Sequence, residues 1–233
     1  MQGEFQQLPV GLLGALATPW LDQALERQLV RLEPSGRFTD TRFQLSADLH
    51  EFAVQSRFED LSIRGAGDIP TLDGLDGSLR WDRRGGSLTL ASHFLSVSGA
   101  PLAAPVELSL EGALNWQRHG DGVALTLREI RLDNADISAT LDGSLRLGED
   151  RWADLRLGVE RLALQRLPRY LPATLMKPRL VNWLRQALMA GRVRDGVGLL
   201  QGRLANFPFA DGNGTFELRL PVEQVKLQYA PDW

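Results

Sequence analysis

The sequence predicts a mainly β protein whose strands form an antiparallel sheet with one apolar and one polar face. From Arg37 onward, apolar residues recur at every second position, as at Phe43 and Leu45. This period places the apolar side chains of a strand on one face of the sheet. Short turn sequences such as residues 84–86 (Arg-Gly-Gly) separate the apolar runs, which is typical of strands joined by tight turns.

A helix is predicted before the sheet begins. Thr18 is a suitable N-cap, and Pro19 suits the first helical position. The apolar residues that follow share one helical face: Leu21, Leu25, Leu29 and Leu32. We therefore expect residues 1–36 to form an N-terminal helical segment and residues 37–233 to form the β region.

The β region contains a long series of alternating runs. One apolar face and one polar face indicate an antiparallel sheet that is covered on one side only. The alternating apolar residues are Phe43, Leu45, Ala47 and Leu49; Phe52 and Val54; Leu79 and Trp81; Leu88 and Leu90; Leu108 and Leu110; Leu114 and Trp116; Val123, Leu125 and Leu127; Ile130 and Leu132; Ile137, Ala139 and Leu141; Leu145 and Leu147; Leu155, Leu157 and Val159; Phe216, Leu218 and Leu220; Val225, Leu227 and Tyr229.

A helical insertion at about 170–190 interrupts the strands, with one helix near 178–190. Pro178 suits its first position, and Gly191 suits the residue that follows its last turn. The residues between them form one apolar stripe: Leu180, Trp183, Leu184, Ala187 and Leu188. Such a stripe usually packs on a core.

Three short segments resemble one another and suggest an internal repeat. Residues 76–81, 111–116 and 142–147 each begin with an acidic residue and a glycine and continue with an alternating apolar pair. A strand-turn-strand unit repeated along one axis would give this pattern. Asp-Gly turns are also common between unrelated strands, so both interpretations stay open.

No motif in the sequence indicates catalysis, a metal site or a cofactor. The histidines His50, His93 and His119 have no ligand partner at helical or strand spacing, and no phosphate-binding glycine loop occurs. With 26 Lys and Arg against 29 Asp and Glu, the net charge is −3, which does not suit nucleic acid. The chain has no cysteine, so it forms no disulfide. We expect no catalytic residue, no metal and no cofactor.

The apolar face has two possible explanations. In the first, two sheets pack face to face as a sandwich or barrel core, which is the more common arrangement for alternating strands. In the second, one strongly bent sheet leaves its apolar face along an open groove, where it would bind extended apolar ligands.

Residues near the C-terminus resemble those of the YhdP family of AsmA-like proteins. The resemblance is specific over about 165–233 and looser over 30–160. It is carried by residues 170–172 (Tyr-Leu-Pro), Trp183, Leu184, Ala187, Leu188, Gly191, Gly202, Leu204, residues 207–209 (Phe-Pro-Phe) and residues 227–233. The family is implicated in phospholipid transport across the periplasm, and its members are longer and begin with an inner-membrane anchor.

The resemblance implies an elongated, strongly bent antiparallel sheet that forms an apolar groove of repeating β units. The groove would hold phospholipid acyl chains, and we predict these lining residues: Leu108, Leu110, Leu125, Leu127, Ile137, Leu141, Leu145, Leu147, Leu155, Leu157, Phe216, Leu218 and Leu220. The helix would plug or line the groove through Leu180, Trp183, Leu184 and Leu188.

The resemblance also implies a cellular setting. The chain would be an internal fragment of a monomeric periplasmic protein tethered to the inner membrane, with inner- and outer-membrane proteins as partners at the ends of the full-length chain. No bond would be made or broken. The alternative is a structural β-scaffold or protein-interaction module of the cell envelope with a closed, dry core.

Overall fold

A computed structural model describes residues 2–9, 31–46, 51–67, 69–100, 102–120, 122–171 and 176–228. These residues form one antiparallel sheet of twelve strands, which confirms the predicted fold class. The strands are β1 (Gln2–Pro9), β2 (Ser35–Leu45), β3 (Phe52–Ile63), β4 (Thr71–Asp82), β5 (Gly85–Ser98), β6 (Val106–His119), β7 (Gly122–Asp133), β8 (Ile137–Leu147), β9 (Trp152–Ala163), β10 (Leu188–Arg203), β11 (Gly214–Arg219) and β12 (Val222–Leu227).

The strands lie side by side in the order in which they occur along the chain. From β1 to β11 each strand pairs with the next, so the sheet is a simple meander. The exception is at the C-terminal end, where β11 pairs with residues 197–202 of β10 and β12 pairs with residues 188–193. The two short strands therefore lie end to end along the same edge of β10.

The helical insertion lies between β9 and β10. It consists of a 3-10 turn at Leu164–Arg166, helix α1 (Leu167–Tyr170) and helix α2 (Pro178–Ala187). The sequence analysis placed Leu188 on the helix, but Leu188 is the first residue of β10 and pairs with Leu227 of β12. Gly191 likewise lies within the strand, with a φ of 137°. Strand pairing with β12 therefore ends the helix earlier than the apolar stripe predicts.

The N-terminal residues differ in part from the predicted helical segment. Gln2–Pro9 is a strand that pairs with residues 37–44 of β2. The helix predicted over residues 18–32 lies mostly outside the described residues, although residues 31 and 32 are helical. Half of the residues of β1 are polar, and its large apolar residues Phe5 and Leu8 are three positions apart, so the strand lacks the alternation of the later strands. The division of the chain at residue 36 stays a prediction.

A line of β-bulges crosses the sheet. Each inserts extra residues into one strand of a pair, in the half of the sheet near the β3–β4, β5–β6 and β7–β8 turns. The extra residues lie at or beside Asp40 in β2, Asp60 in β3, His93 in β5, Glu129 in β7 and Glu160 in β9. Bulges bend a strand and increase its twist. We call this line the crease, because it is where the sheet bends.

The crease repeats the same local geometry in two places. Asp60 and Glu129 are both left-handed, with φ angles of 53° and 47°. Each faces a glycine on the preceding strand, Gly36 and Gly112 respectively. A Cβ on Gly36 would lie 2.7 Å from the Asp60 carbonyl oxygen, and a Cβ on Gly112 would lie 2.6 Å from that of Glu129. Only glycine fits such a close backbone approach.

An aspartate on the following strand caps each of these bulges. The Asp76 carboxylate accepts a hydrogen bond of 2.9 Å from the Asp60 N–H, and the Asp142 carboxylate accepts one of 2.7 Å from the Glu129 N–H. Two of the three similar segments found in the sequence, those that begin at Asp76 and Asp142, thus occupy equivalent positions. The segment at Glu111 does not, because it lies on the strand before the bulge. The equivalent positions in β4 and β8 are four strands apart. The structural repeat therefore contains four strands and is longer than one hairpin.

The caps make a testable contribution to stability. Replacing Asp142 by alanine leaves the Glu129 N–H without its partner, and we expect a loss of about 1–2 kcal/mol in the free energy of unfolding. Urea denaturation monitored by tryptophan fluorescence measures it. Asp142→Asn should lose less than half as much, because an amide oxygen still accepts the hydrogen bond. An unchanged midpoint for Asp142→Ala would contradict the capping role.

Two clusters of buried side chains lie in the crease half of the sheet. The first contains Phe38, Phe58, Leu75 and Leu95. The second contains Ala139, Val159, Leu162, Leu164 and Val193, and residues of the helical insertion pack against it. The bend brings side chains of neighbouring strands together on one face, so the core is built largely within a single sheet.

Candidate functional site: the apolar face of the bent sheet

One face of the sheet carries an unbroken row of apolar residues that runs across the strands. Strand pairing places Leu88 opposite Leu114, then Leu127, Gly143, Leu155, Leu200 and finally Phe216. Because neighbouring strands are about 4.8 Å apart, a row across seven strands is about 29 Å long. The row is interrupted by no polar side chain. It therefore provides a continuous apolar surface along the sheet.

The predicted groove-lining residues belong to this face. Strand pairing brings Leu125 opposite Leu145, Leu141 opposite Leu157, and Leu110 opposite Leu132, so each continues the same surface. Near the C-terminal end, Leu218 lies opposite Gly198, beside Phe216 and Leu200. Leu108 and Leu110 pack against the first buried cluster, and Ile137, Leu157 and Leu220 pack against the second. That these residues contact a ligand stays a prediction.

Exposure differs from place to place along the face. Phe58 and Leu95, beside the crease, are each only 2% exposed, whereas Leu147 at the far end of β8 is 40% exposed. We call the edge that contains residues 46, 51, 83–84, 119–120, 122, 148–151 and 204–213 the far rim. Phe52 and Ala153, near the far rim, are also buried, whereas Leu218 in β11 is 52% exposed. Parts of the face are therefore accessible.

Within the described part of the chain, no second sheet covers this face. All twelve strands belong to the same sheet, and each makes its extensive contacts with its neighbours in that sheet. The helical insertion packs at the crease side, on the second buried cluster and beside β10. A sandwich of two facing sheets, the more common explanation of the alternation, is therefore wrong for these residues. An open, bent sheet is the structure that the sequence's resemblance implies.

Three of the alternating apolar residues that were not among the predicted lining residues, Phe52, Trp81 and Trp116, lie on the same face near the far rim. Phe52 and Trp81 make an edge-to-face contact with their ring centroids 4.9 Å apart. Gly86 lies between Trp81 and Trp116 in the strand pairing. A Cβ on Gly86 would be 2.3 Å from the Trp116 ring, so the ring covers this glycine. The alternation with polar residues placed Trp81 and Trp116 on the apolar face, and the same signal could have added them to the predicted lining residues.

Helix α2 buries only part of its predicted apolar stripe, together with one residue outside it. Val181 and Ala187 are buried, while Leu180 and Trp183 are 44% and 42% exposed. Leu184 is half-buried. The plug role of Leu180, Trp183, Leu184 and Leu188 stays a prediction, and the last of these belongs to β10.

The helical insertion is fastened to the β7–β8 turn by Asn134. The Asn134 side-chain amide donates to the Glu107 carbonyl oxygen at 2.7 Å and to the Tyr170 hydroxyl oxygen at 3.1 Å. Burial raises the pKa of Tyr170 above its ordinary value, so the hydroxyl is neutral at physiological pH. Arg166 and Arg169 both pair with Asp136 in the same turn. These contacts fix α1 at the crease side of the sheet.

The described residues hold no constellation that suggests a reaction. Among them, no three His, Cys, Asp or Glu side chains are grouped as metal ligands would be. Every buried polar side-chain atom in the described ranges has a hydrogen-bond partner. No described helix has the length and apolar character needed to cross a bilayer. The distinctive feature of the molecule is therefore its continuous apolar face.

Comparison with known proteins agrees with this picture. The family model described as "YhdP protein" matches residues 2–233. The "Intermembrane phospholipid transporter YhdP" of Escherichia coli strain K12 is 27% identical over 85 residues. The match covers 36% of this chain and 7% of that relative, so the aligned part is a small fraction of the relative's length. No solved structure matches the chain.

Proposed function

The chain belongs to the YhdP family, and from this premise we propose that it is a lipid-conducting segment of a cell-envelope protein. Its apolar face would hold the acyl chains of phospholipids that move between the inner and outer membranes. The relative from Escherichia coli is named as an intermembrane phospholipid transporter. The observation that carries the proposal is the unbroken apolar row from Leu88 to Phe216 on an uncovered face.

The dimensions of the row suit an acyl chain. A length of about 29 Å is close to the roughly 30 Å hydrocarbon thickness of a whole bilayer, so one chain can lie fully extended along it. Each methylene buried against the row contributes about 0.8 kcal/mol. The two clusters of buried side chains at the crease exclude water, and the lipid would pack against them.

Movement along the row would be passive. Leucine occupies five of the seven positions between Leu88 and Phe216, so a chain shifted by one strand meets nearly the same surface. Because successive positions have similar free energies, no position holds the chain strongly. The head group would remain in water at a rim while the acyl chains slide, and no covalent step takes place.

The setting that we propose is the periplasm. The full-length protein would be tethered to the inner membrane and would meet membrane proteins at its two ends, with this segment between them as a monomer. Neither nucleic acid nor an enzymatic substrate enters the proposal. The competing candidate, a β-scaffold of the envelope with a closed core, predicts the same sheet with no ligand on its apolar face.

Photo-crosslinking distinguishes the two candidates. A photoreactive amino acid at Leu218, which is 52% exposed on the apolar face, is expected to capture phospholipid in cells. The same amino acid at Glu217, the preceding exposed residue on the opposite face, serves as the matched control and should capture none. Native mass spectrometry of gently purified protein should show bound phospholipid. Equal capture at both positions, or none at Leu218 together with lipid-free spectra, would favour the scaffold.

A further inference from the structure

We propose that the helical insertion docks on the surface of an anionic lipid bilayer through the exposed face of α2. The docking is separate from the lipid path on the sheet and does not depend on it. Charge is strongly segregated in this part of the chain. Residues 161–194 contain eight of the 26 Lys and Arg residues and none of the 29 Asp and Glu residues. The insertion occupies the middle of this basic segment.

Neighbouring elements neutralise only part of the positive charge. Four of the eight basic residues pair with carboxylates of nearby turns and strands: Arg161 with Asp133, Arg166 and Arg169 with Asp136, and Arg194 with Glu223. A fifth, Arg192, donates a hydrogen bond to the uncharged side chain of Gln224. Among the described residues, the other three, Lys177, Arg179 and Arg185, pair with no carboxylate, and all three are exposed. The remaining charge is therefore concentrated on α2 and the residue before it.

Helix α2 combines this charge with exposed apolar surface. Val181 and Ala187 are its buried residues, and its main contacts within the described residues are with α1 and β10. The exposed residues of α2 are 178–180, 182, 183, 185 and 186. Leu180 and Trp183 are three residues apart and so lie side by side on the helix, and Arg179 lies one turn before Trp183. An apolar strip thus borders a cationic one on the exposed side.

Such a surface suits an anionic bilayer. A basic amphipathic helix lies parallel to the membrane, with its large apolar side chains among the lipids and its Lys and Arg side chains near the phosphates. Each basic residue close to an anionic surface strengthens binding about fivefold. Lys177, Arg179 and Arg185 together therefore predict a roughly 100-fold preference for anionic over neutral lipid.

An acidic protein would attract the same charges, but the helix is small for a protein interface. Its ten residues span about 15 Å, whereas a stable protein interface buries about 800 Å² on each partner. A bilayer needs no matching shape and continues beyond the helix. The size of the exposed face therefore favours a membrane as its partner.

The test measures binding of the purified chain to vesicles by flotation. One kind of vesicle contains dioleoyl-phosphatidylcholine, and the other an equimolar mixture of this lipid with dioleoyl-phosphatidylglycerol. We expect roughly 100-fold tighter binding to the anionic vesicles, and a smaller preference at high salt, because salt screens exposed charges. In Arg179→Gln/Arg185→Gln the affinity for anionic vesicles should fall roughly 25-fold.

Matched variants separate the helix from the rest of the surface. Arg128→Gln/Arg131→Gln removes the same charge from two exposed positions of β7 and should keep the preference. Leu180→Ser, at a position that is 44% exposed, should weaken binding to anionic vesicles roughly fivefold through lost apolar contact. Phe94→Ser, at a position of β5 that is 88% exposed, should have no effect.

Two results would overturn the docking and leave the lipid path standing. The first is equal binding of the unmodified chain to both kinds of vesicle, or an anionic preference that survives Arg179→Gln/Arg185→Gln. The second is failure to bind either kind. A photoreactive amino acid at Gln186 that captures a protein in cells would in that case identify α2 as a protein-docking surface.

Discussion

Replacing Leu127 by aspartate is expected to remove most lipid occupancy from the apolar face while the fold survives. Leu127 stands in the middle of the apolar row, between Leu114 and Gly143, and it is half-buried. A carboxylate there keeps its hydration shell and separates the acyl chain from the wall. Loss of contact for about three methylenes costs about 2.4 kcal/mol, which is roughly a 50-fold weaker affinity.

The measurement is the amount of phospholipid that remains bound after gentle purification, together with transport by the full-length protein carrying the substitution. Thr126→Asp is the matched control. It places the same charge one residue earlier, on the exposed polar face of the same strand, and should change neither quantity. Circular dichroism checks that both variants keep their strands. Normal lipid content in a folded Leu127→Asp protein would contradict the proposed path.

Gly143→Ala is expected to be the most destabilising single-methyl change in the sheet. Gly143 has a φ of 140°, a conformation that residues with a Cβ rarely adopt. A Cβ at this position would lie 2.1 Å from the Asp154 carbonyl oxygen, so the backbone of β9 would have to move. Strain and displacement together predict a loss of about 3 kcal/mol in the free energy of unfolding.

Urea denaturation followed by tryptophan fluorescence gives this value. Ser144→Ala, at the next and exposed position of β8, should stay within about 0.5 kcal/mol of the unmodified chain. Gly143→Ala also adds a methyl group to the apolar row, so we expect this variant to bind lipid less well at temperatures where it is still folded. Equal stability of Gly143→Ala and Ser144→Ala would mean that the backbone of β9 moves away from the added methyl group at little cost in free energy.

Alternation along the strands was enough to predict which residues form the apolar face. Once the turns are located, the period of two leaves little choice in the register of strand pairing, because a shift by one residue would turn every leucine outward. Leu125, Leu145 and Leu155 could therefore be selected without coordinates. The family resemblance supplied what alternation could not, namely that a single bent sheet rather than two packed sheets would result.

The crease was not predicted, although the sequence contains its signal. At each bulge the spacing between successive inward residues is three instead of two, as from Phe58 to Leu61 and from Leu127 to Ile130. In a single sequence such a break resembles the end of one strand and the start of another. Which strand carries the extra residue depends on its partner, through hydrogen bonds such as that of Asp142, and this information is nonlocal.

The sequential order of the strands also bears on how the chain acquires its structure. From β1 to β11 each strand pairs with the one made just before it, so contacts form between residues that are close along the chain. Closing short loops costs little entropy, and low contact order favours rapid folding. During synthesis, each new hairpin can pair with the last strand of the existing sheet, as in a linear repeat protein. Chain growth and sheet growth thus proceed in the same direction.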